Sequence, residues 1–266
     1  MPRRGALVRT DALRRLRRSP LVADSIPLPL RVLDLALVLL ALPSVLVVAA
    51  LVALAVFIDS PGPVLYRSRR IGRGGRAFDM LKFRTMVRDG LGPPLSARDD
   101  ERYTPLGRTL ARSRLDELPQ LWNVLRGDMR LVGPRPELEE FVRDFPAEYE
   151  RILSVPPGLT GPAQVEYAWE GEVLALAQAV DRARVYRESI LPYKLAIDLR
   201  YAERHTVLGD VRLLLLTVAL PFVRIARLLV GTPQERPLVR LASALGLTGG
   251  VVLLAGLLAA EASAAL

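Results

Sequence analysis

Leu35–Ile58 is a run of 24 residues without a charge, and arginine crowds both of its flanks. About 20 apolar residues suffice to cross a bilayer. Arg31 and the arginines before it lie on one side, and Arg67, Arg69, Arg70, Arg73 and Arg76 on the other. Basic flanks favour the cytoplasmic side, so the rule asks both ends of this run to stay there, which one straight span cannot do. Pro43 and Ser44 sit inside the run, and an internal proline removes a backbone hydrogen bond and bends a helix. The pattern predicts a re-entrant helix that enters, breaks at Pro43-Ser44 and returns; a single bent transmembrane helix is the plainer alternative. The run begins too far from Met1 and lacks a convincing cleavage site for a signal peptide.

The densest chemistry lies in Arg112–Glu137, RSRLDELPQLWNVLRGDMRLVGPRPE. It opens on adjacent carboxylates, Asp116 and Glu117, flanked by Arg112 and Arg114. It closes on Gly133-Pro134-Arg135-Pro136, where two prolines restrict the backbone around one guanidinium. Neighbouring carboxylates repel unless cations or a metal neutralise them, and a planar guanidinium suits phosphate oxygens. Paired acids beside preset arginines point to phosphoryl chemistry with a divalent ion. An ordinary solvated helix start with Asp116 near the N-cap is the competing reading.

Composition narrows the options. With no cysteine and only His205, thiolate nucleophiles, disulfides and multi-histidine zinc sites are excluded. A divalent ion would need oxygen ligands, which favours magnesium or manganese. The net charge is +9, and only Lys82 and Lys194 are lysines. Such a surface suits lipid head groups, nucleic acid or phosphorylated small molecules. The long apolar runs select the lipid bilayer as a partner, and no aromatic-basic platform for nucleic acid appears.

Met1–Ser19 is an arginine-rich arm, read as an amphipathic helix on anionic lipid or as a disordered basic tail. Val64–Tyr66 and Ala77–Phe83 read as strands around the basic glycine loop Ile71–Arg76, which is a hairpin turn or a weak phosphate cradle. Lys82 and Arg84 would share one face of a strand and aim at one anion. Arg88–Arg102 reads as a loop, Glu137–Leu153 as a surface helix, Ala163–Tyr167 as a short strand, and Val173–Leu191 as an amphipathic helix. Val211–Val230 reads as an interfacial helix. Leu241–Ala260 is a second uncharged run, either a span with its C-terminus outside or another interfacial helix.

Six stretches together carry a resemblance: LPSV, PGPVLYRSRRIGRGGRAF, MLKFRTM, RLDELPQLWNVLRGDM, LVGPRPE and PPGLTGPAQV. In this order, over roughly 31–217, they resemble the bacterial sugar transferases, the small monotopic polyprenol phosphate phosphoglycosyl transferases. The resemblance implies transfer of sugar-1-phosphate from a UDP-sugar to polyprenol phosphate, with magnesium and release of UMP. It implies Asp116 as nucleophile forming a covalent phosphosugar intermediate, Glu117 as its partner, and both as metal ligands. Lys82 and Arg135 would face phosphates, with Arg84 and Arg112 as further phosphate ligands. Three departures stand out. The membrane run has Pro43-Ser44 in place of Ser-Pro. Ala111–Arg114 replaces the usual Arg-Ser/Thr-x-Ser or Arg-Arg-Thr-Ser, with Arg112 favoured over Arg114 as the phosphate ligand. Gly161-Pro162-Ala163-Gln164 lacks the common tryptophan.

The expected fold is α+β and mainly helical: a basic arm (1–30), a re-entrant helix (31–58), a catalytic unit with interfacial helices (59–230) and a hydrophobic extension (231–266). The resemblance implies the inner membrane of a bacterium, with the catalytic unit on the cytoplasmic face, at the first membrane step of a surface glycan or exopolysaccharide pathway. A homo-oligomer is compatible with all of this. A catalytically inactive relative, acting as a basic membrane-surface scaffold, is the alternative. A glycosyltransferase proper would usually carry an Asp-x-Asp motif, and none is present. The topology is testable: single cysteines at positions 18 and 73 of this cysteine-free chain are expected to label from the same side of the membrane. Opposite-side labelling would sink the re-entrant reading.

Overall fold

The computed structural model describes residues 26–87, 95–96, 100–167, 174 and 182–230. The arm Met1–Ser19, most of Arg88–Arg102, part of Val173–Leu191 and the run Leu241–Ala260 fall outside them.

Helix α1, Leu28–Asp59, starts seven residues earlier than the apolar run, with Pro27 at its N-cap and a proline in its first turn. Two charged side chains explain the early start, because both are used inside the protein. Arg31 donates to the carbonyls of Val124 (2.5 Å) and Leu125 (2.7 Å), at the C-terminal end of another helix, where free carbonyls attract cations. Asp34, 1% exposed, accepts from Arg130 Nε at 2.9 Å. The expected break at Pro43-Ser44 is not an interruption: the helix runs through Pro43. Ser44 Oγ donates to the Ala41 carbonyl at 2.8 Å, a back-bond that accompanies helix bending.

Both ends of α1 pack on the same body. Val38 joins a core with Met80, Val124 and Leu213, whereas Val52 and Val56 join another with Phe83 and Leu110. Between them Leu39, Leu40, Leu46, Val47 and Leu51 are exposed. By length and composition alone, this helix could cross a membrane.

That body is assembled from short pieces. Strands β1 (Leu65–Ile71) and β2 (Ala77–Phe83) form an antiparallel hairpin that pairs Tyr66 with Lys82. Helix α2 (Pro105–Ser113) follows, capped by Thr104 with proline in the first turn. A 3₁₀ turn, Leu115–Glu117, leads into α3 (Gln120–Arg126) and then β3 (Arg130–Val132). Residues Glu137–Leu153 make two helices, α4 (Glu139–Asp144) and α5 (Pro146–Ile152), separated at Phe145, which leaves helical geometry. Their Phe141 and Val142 are core residues.

Strand β4 (Gly158–Thr160) pairs in parallel with β3. The pairing needs glycine: a Cβ at Gly158 would lie 2.1 Å from the Gly133 nitrogen. The expected strand at Ala163–Tyr167 is instead helix α6, Pro162–Glu166. Pro162 presets a first helical residue, and extended Gly161 provides its N-cap. Helix α7 (Arg182–Val185), a π turn (Tyr186–Ile190), α8 (Leu191–Arg204) and α9 (Val207–Val230) complete the described chain. Among the described residues the result is α+β, mostly helical, with two small sheets.

One ion cluster joins the layers. Arg130 of β3, with its side chain 3% exposed, lies 2.9 Å from Asp34 of α1 and 2.9 Å from Asp210 of α9. Tyr201 of α8 donates to Asp210 at 2.7 Å. Breaking a buried pair costs about 3–5 kcal/mol because an uncompensated charge stays behind. Arg130→Met, which leaves two carboxylates without their cation, is expected to destabilise more than Asp34→Asn. Thermal unfolding in detergent measures both, and equal midpoints for the two variants would rule out a shared bridge.

Candidate active site

Three segments converge on the Asp116-Glu117 pair. The first is α2, whose C-cap is Arg114. At φ 61° this is the sole non-glycine residue with positive φ among the described residues. Such backbone is strained for an L side chain. The reversal it makes starts the turn that carries both acids, and it returns the Arg114 guanidinium to 3.3 Å from Glu117 Oε1.

The second is β2, which brings Lys82 Nζ to 3.3 Å from the same oxygen. Asn123 of α3 sets that distance by bracing α3 against the strand. Its Oδ1 accepts from the Leu81 N–H at 3.0 Å, and its Nδ2 donates to the Asp79 carbonyl at 2.9 Å and to Asp128 at 3.2 Å. The third is the loop after β3, where Arg135 Nη2 donates to Glu117 Oε1 at 2.7 Å and Nη1 to Oε2 at 3.5 Å.

The two acids therefore live in different environments. Glu117 Oε1 takes three cations, and Oε2 has one long contact. Burial would raise its pKa, but Arg135, Lys82 and Arg114 outweigh burial and hold Glu117 well below the usual carboxylate range. Asp116 is 6% exposed, and its Oδ1 is buried without a hydrogen-bond partner. Burial, opposed mainly by Lys82 and reinforced by Glu117, pushes Asp116 up to about 6. Burial also lowers the Lys82 pKa against the pull of Glu117. The pair thus combines a neutralised anchor with a carboxylate that has kept its basicity.

Two expected residues stand elsewhere. Strand β2 ends at Phe83, so Arg84 does not share the face of Lys82; its guanidinium donates to the Ser60 carbonyl and stands over Gly62. Arg112 is exposed in the last turn of α2. Arg114 is the arginine that reaches the pair. Arg70 is a further cation of the site that residue order did not single out: it lies 3.6 Å from Glu137, its charge adds to the lowering of the Lys82 pKa, and burial, helped by Arg135 and opposed by Glu137, lowers its own. Its one signal was its place in β1, on the same face as Tyr66, the partner of Lys82.

Beside the acids, between α1 and α3, opens an apolar cleft of about 470 Å³. Leu118 and Pro119, next after Glu117, and Phe83, next after Lys82, line it together with Leu42, Leu46, Ala49 and Ala53 of α1. Trp122 is exposed at its rim.

Among the described residues no group of three or more His, Cys, Asp or Glu could hold a metal. Magnesium, however, commonly binds one or two carboxylates plus substrate phosphates. Glu117 Oε2, with Asp116 beside it, fits that pattern. The brace is testable first. Asn123→Ala leaves the Leu81 N–H and the Asp79 carbonyl without a partner, and about 1–3 kcal/mol per buried unmet group is expected. Urea unfolding that showed a loss under about 0.5 kcal/mol would mean the brace is slack.

Sequence comparison identifies the family. The family model described as bacterial sugar transferase matches residues 28–224, the interval from the start of α1 into α9. A UDP-glucose:undecaprenyl-phosphate glucose-1-phosphate transferase of Caulobacter vibrioides is 37% identical over 204 residues, covering 75% of this chain and 72% of that protein. The Escherichia coli K12 protein of the same name is 35% identical over 195 residues, covering 71% of this chain and 39% of that protein. A UDP-N-acetylgalactosamine-undecaprenyl-phosphate N-acetylgalactosaminephosphotransferase of Aeromonas hydrophila is 36% identical over 149 residues, covering 53% of this chain and 35% of that protein. This chain therefore spans under half the length of two of these three relatives. With its acidic pair, its basic cradle and its apolar helix all inside the matched interval, the chain belongs to the bacterial sugar transferase family.

Proposed function

We propose that this chain is a phosphoglycosyl transferase that moves sugar-1-phosphate from a UDP-sugar to undecaprenyl phosphate or a similar polyprenol phosphate, releasing UMP. The observation that carries the reading is the unequal acid pair, with the residues that follow Glu117 and Lys82 lining an apolar cleft. Glu117 Oε1 is ringed by three cations, whereas Asp116 beside it has no ion pair among the described residues and a raised pKa.

An Asp116 oxygen attacks the phosphorus that carries the sugar, and the bond from that phosphorus to the bridging oxygen breaks. UMP leaves with the bond's electrons, and the sugar phosphate stays on the carboxylate as an acyl phosphate. A phosphate oxygen of the polyprenol phosphate then attacks the same phosphorus, the bond to Asp116 breaks, and the lipid diphosphate sugar departs. Splitting one displacement into two is the gain from a covalent nucleophile. Lys82, Arg114 and Arg135 are already oriented by Glu117, so they meet the charge of the transferring phosphoryl group with little reorganisation. Magnesium bound at Glu117 and Asp116 would supply further charge neutralisation for the pyrophosphate.

The cleft gives the isoprenoid units nearest the phosphate an apolar wall that starts at Leu118 and Phe83. Helix α1 lies beside it, and its two ends pack on one body. That arrangement supports a helix that dips into the bilayer and returns, with the acid pair at the cytoplasmic face of a bacterial inner membrane. The relatives are named for two sugars, glucose and N-acetylgalactosamine, so the sugar is to be read from an assay.

Membrane-extracted protein with magnesium and a panel of UDP-sugars is expected to release UMP beyond one equivalent per enzyme only when polyprenol phosphate is present, and to stop on chelation. Asp116→Asn should lower the rate by at least about 10³-fold while the protein stays folded. Near-wild-type turnover by that variant, or silence of the folded wild type across the panel, would overturn the reading.

A further inference from the structure

The acid pair sits on an unusual helix face. Leu118 and Pro119 both have right-handed helical backbone, at φ −50°, ψ −38° and φ −62°, ψ −17°, so the 3₁₀ turn and α3 form one helical run from Leu115 to Arg126. A buried stripe on such a run is ordinarily apolar. Here the buried residues are Asp116, Glu117, Gln120, Asn123 and Val124, four of them polar.

Two of the four are already engaged. Glu117 is held by its three cations, and Asn123 spends its amide on Asp79, Leu81 and Asp128. Gln120 is different. It is 0% exposed, and neither its Oε1 nor its Nε2 has a hydrogen-bond partner. Burying an unpartnered amide costs stability, so a methionine or leucine would serve packing better. Four residues earlier, one turn away on the same face, Asp116 Oδ1 is also buried without a partner. One unmet donor and one unmet acceptor, spaced i and i+4, can form the side-chain hydrogen bond known for Asp and Gln at that spacing.

We infer that Gln120 is a positioning residue for the nucleophile: its Nε2–H donates to Asp116 Oδ1 and orients the carboxylate so that Oδ2 faces the phosphorus. This rests on Asp116 being the nucleophile. The hydrogen bond occupies one lone pair of Oδ1 and fixes the plane of the carboxylate. Near the reacting centre a small misorientation lowers rate without lowering substrate affinity.

The test uses the full chain in detergent or lipid, with UMP release as the readout and Gln120→Met and Gln120→Leu as variants. A lost hydrogen bond to a charged group corresponds to a fall in kcat of about ten- to a hundredfold. The expected result is that fall in kcat, with KM for the UDP-sugar within about twofold of wild type and an unchanged or higher Tm. Wild-type kcat in either variant overturns the inference, and so does a loss expressed wholly in KM, which would make Gln120 a substrate contact. If both variants fail to fold, the amide is structural and the positioning role falls. Asp116→Asn is assayed alongside. If it is inactive and Gln120→Met is unaffected, only the role of Gln120 is lost. If Asp116→Asn turns over normally, the nucleophile assignment fails and takes this inference with it.

Discussion

Arg130, buried between Asp34 and Asp210, is the interaction on which the rest of the arrangement depends. An arginine with a side chain 3% exposed must be paired, and its two partners come from α1 at one end of the chain and α9 near the other. The requirement fixes the first turns of the apolar helix against β3, and Arg31 adds a second attachment at the carbonyl end of α3. With α1 held there, its later residues Val52 and Val56 reach Phe83 and Leu110. The space left between α1 and α3 is the apolar cleft. The site's apolar wall is thus a consequence of where a charged cluster pins an apolar helix.

The chemistry of the pair follows from an unequal distribution of cations. Lys82, Arg114 and Arg135 reach the protein from three different segments, yet all converge on one oxygen of Glu117. Had they divided themselves between the two acids, both would be weak bases. Concentrating them on Glu117 leaves Asp116 shielded from water and close to positive charge, but without an ion partner of its own. Strain at Arg114 is part of the same economy: its left-handed backbone turns α2 into the acid-bearing turn and returns its side chain to Glu117. Observed strain concentrated beside reactive groups is a familiar feature of functional sites.

Much of this was legible from residue order. The long uncharged run announced an apolar helix, Gly-Pro-Arg-Pro announced a stiff arginine, and the adjacent acids announced the reactive turn, because each signal is local. Other signals were ambiguous for equally physical reasons. Arg112 and Arg114 look alike in a helical projection, and only the positive φ of Arg114 separates the one that folds back from the one that points to solvent. Arg84 seemed aligned with Lys82, but alternation holds only within a strand and β2 ends between them. Ala163–Tyr167 has residues at home in a strand, whereas the preset backbone of Pro162 after extended Gly161 starts a helix. The parallel pairing of β3 and β4 joins segments nearly thirty residues apart and required two glycines to meet, which no local pattern records.

Sequence alone determined the classes of element and the cast of reactive groups: an apolar helix with basic flanks, a chain without thiols, and a motif set dense in acids and arginines. These follow from hydrophobicity, charge and backbone preference, which act over a few residues. Tertiary structure decided the assignments among equals: which arginine meets the acid pair, which acid is neutralised, and that Asp34 and Asp210 share one buried cation. It also decided that Gln120 lies buried with its amide unspent beside Asp116. Those outcomes depend on distances between segments remote in sequence and on the loss of water around them, and neither is written in any local stretch of residues.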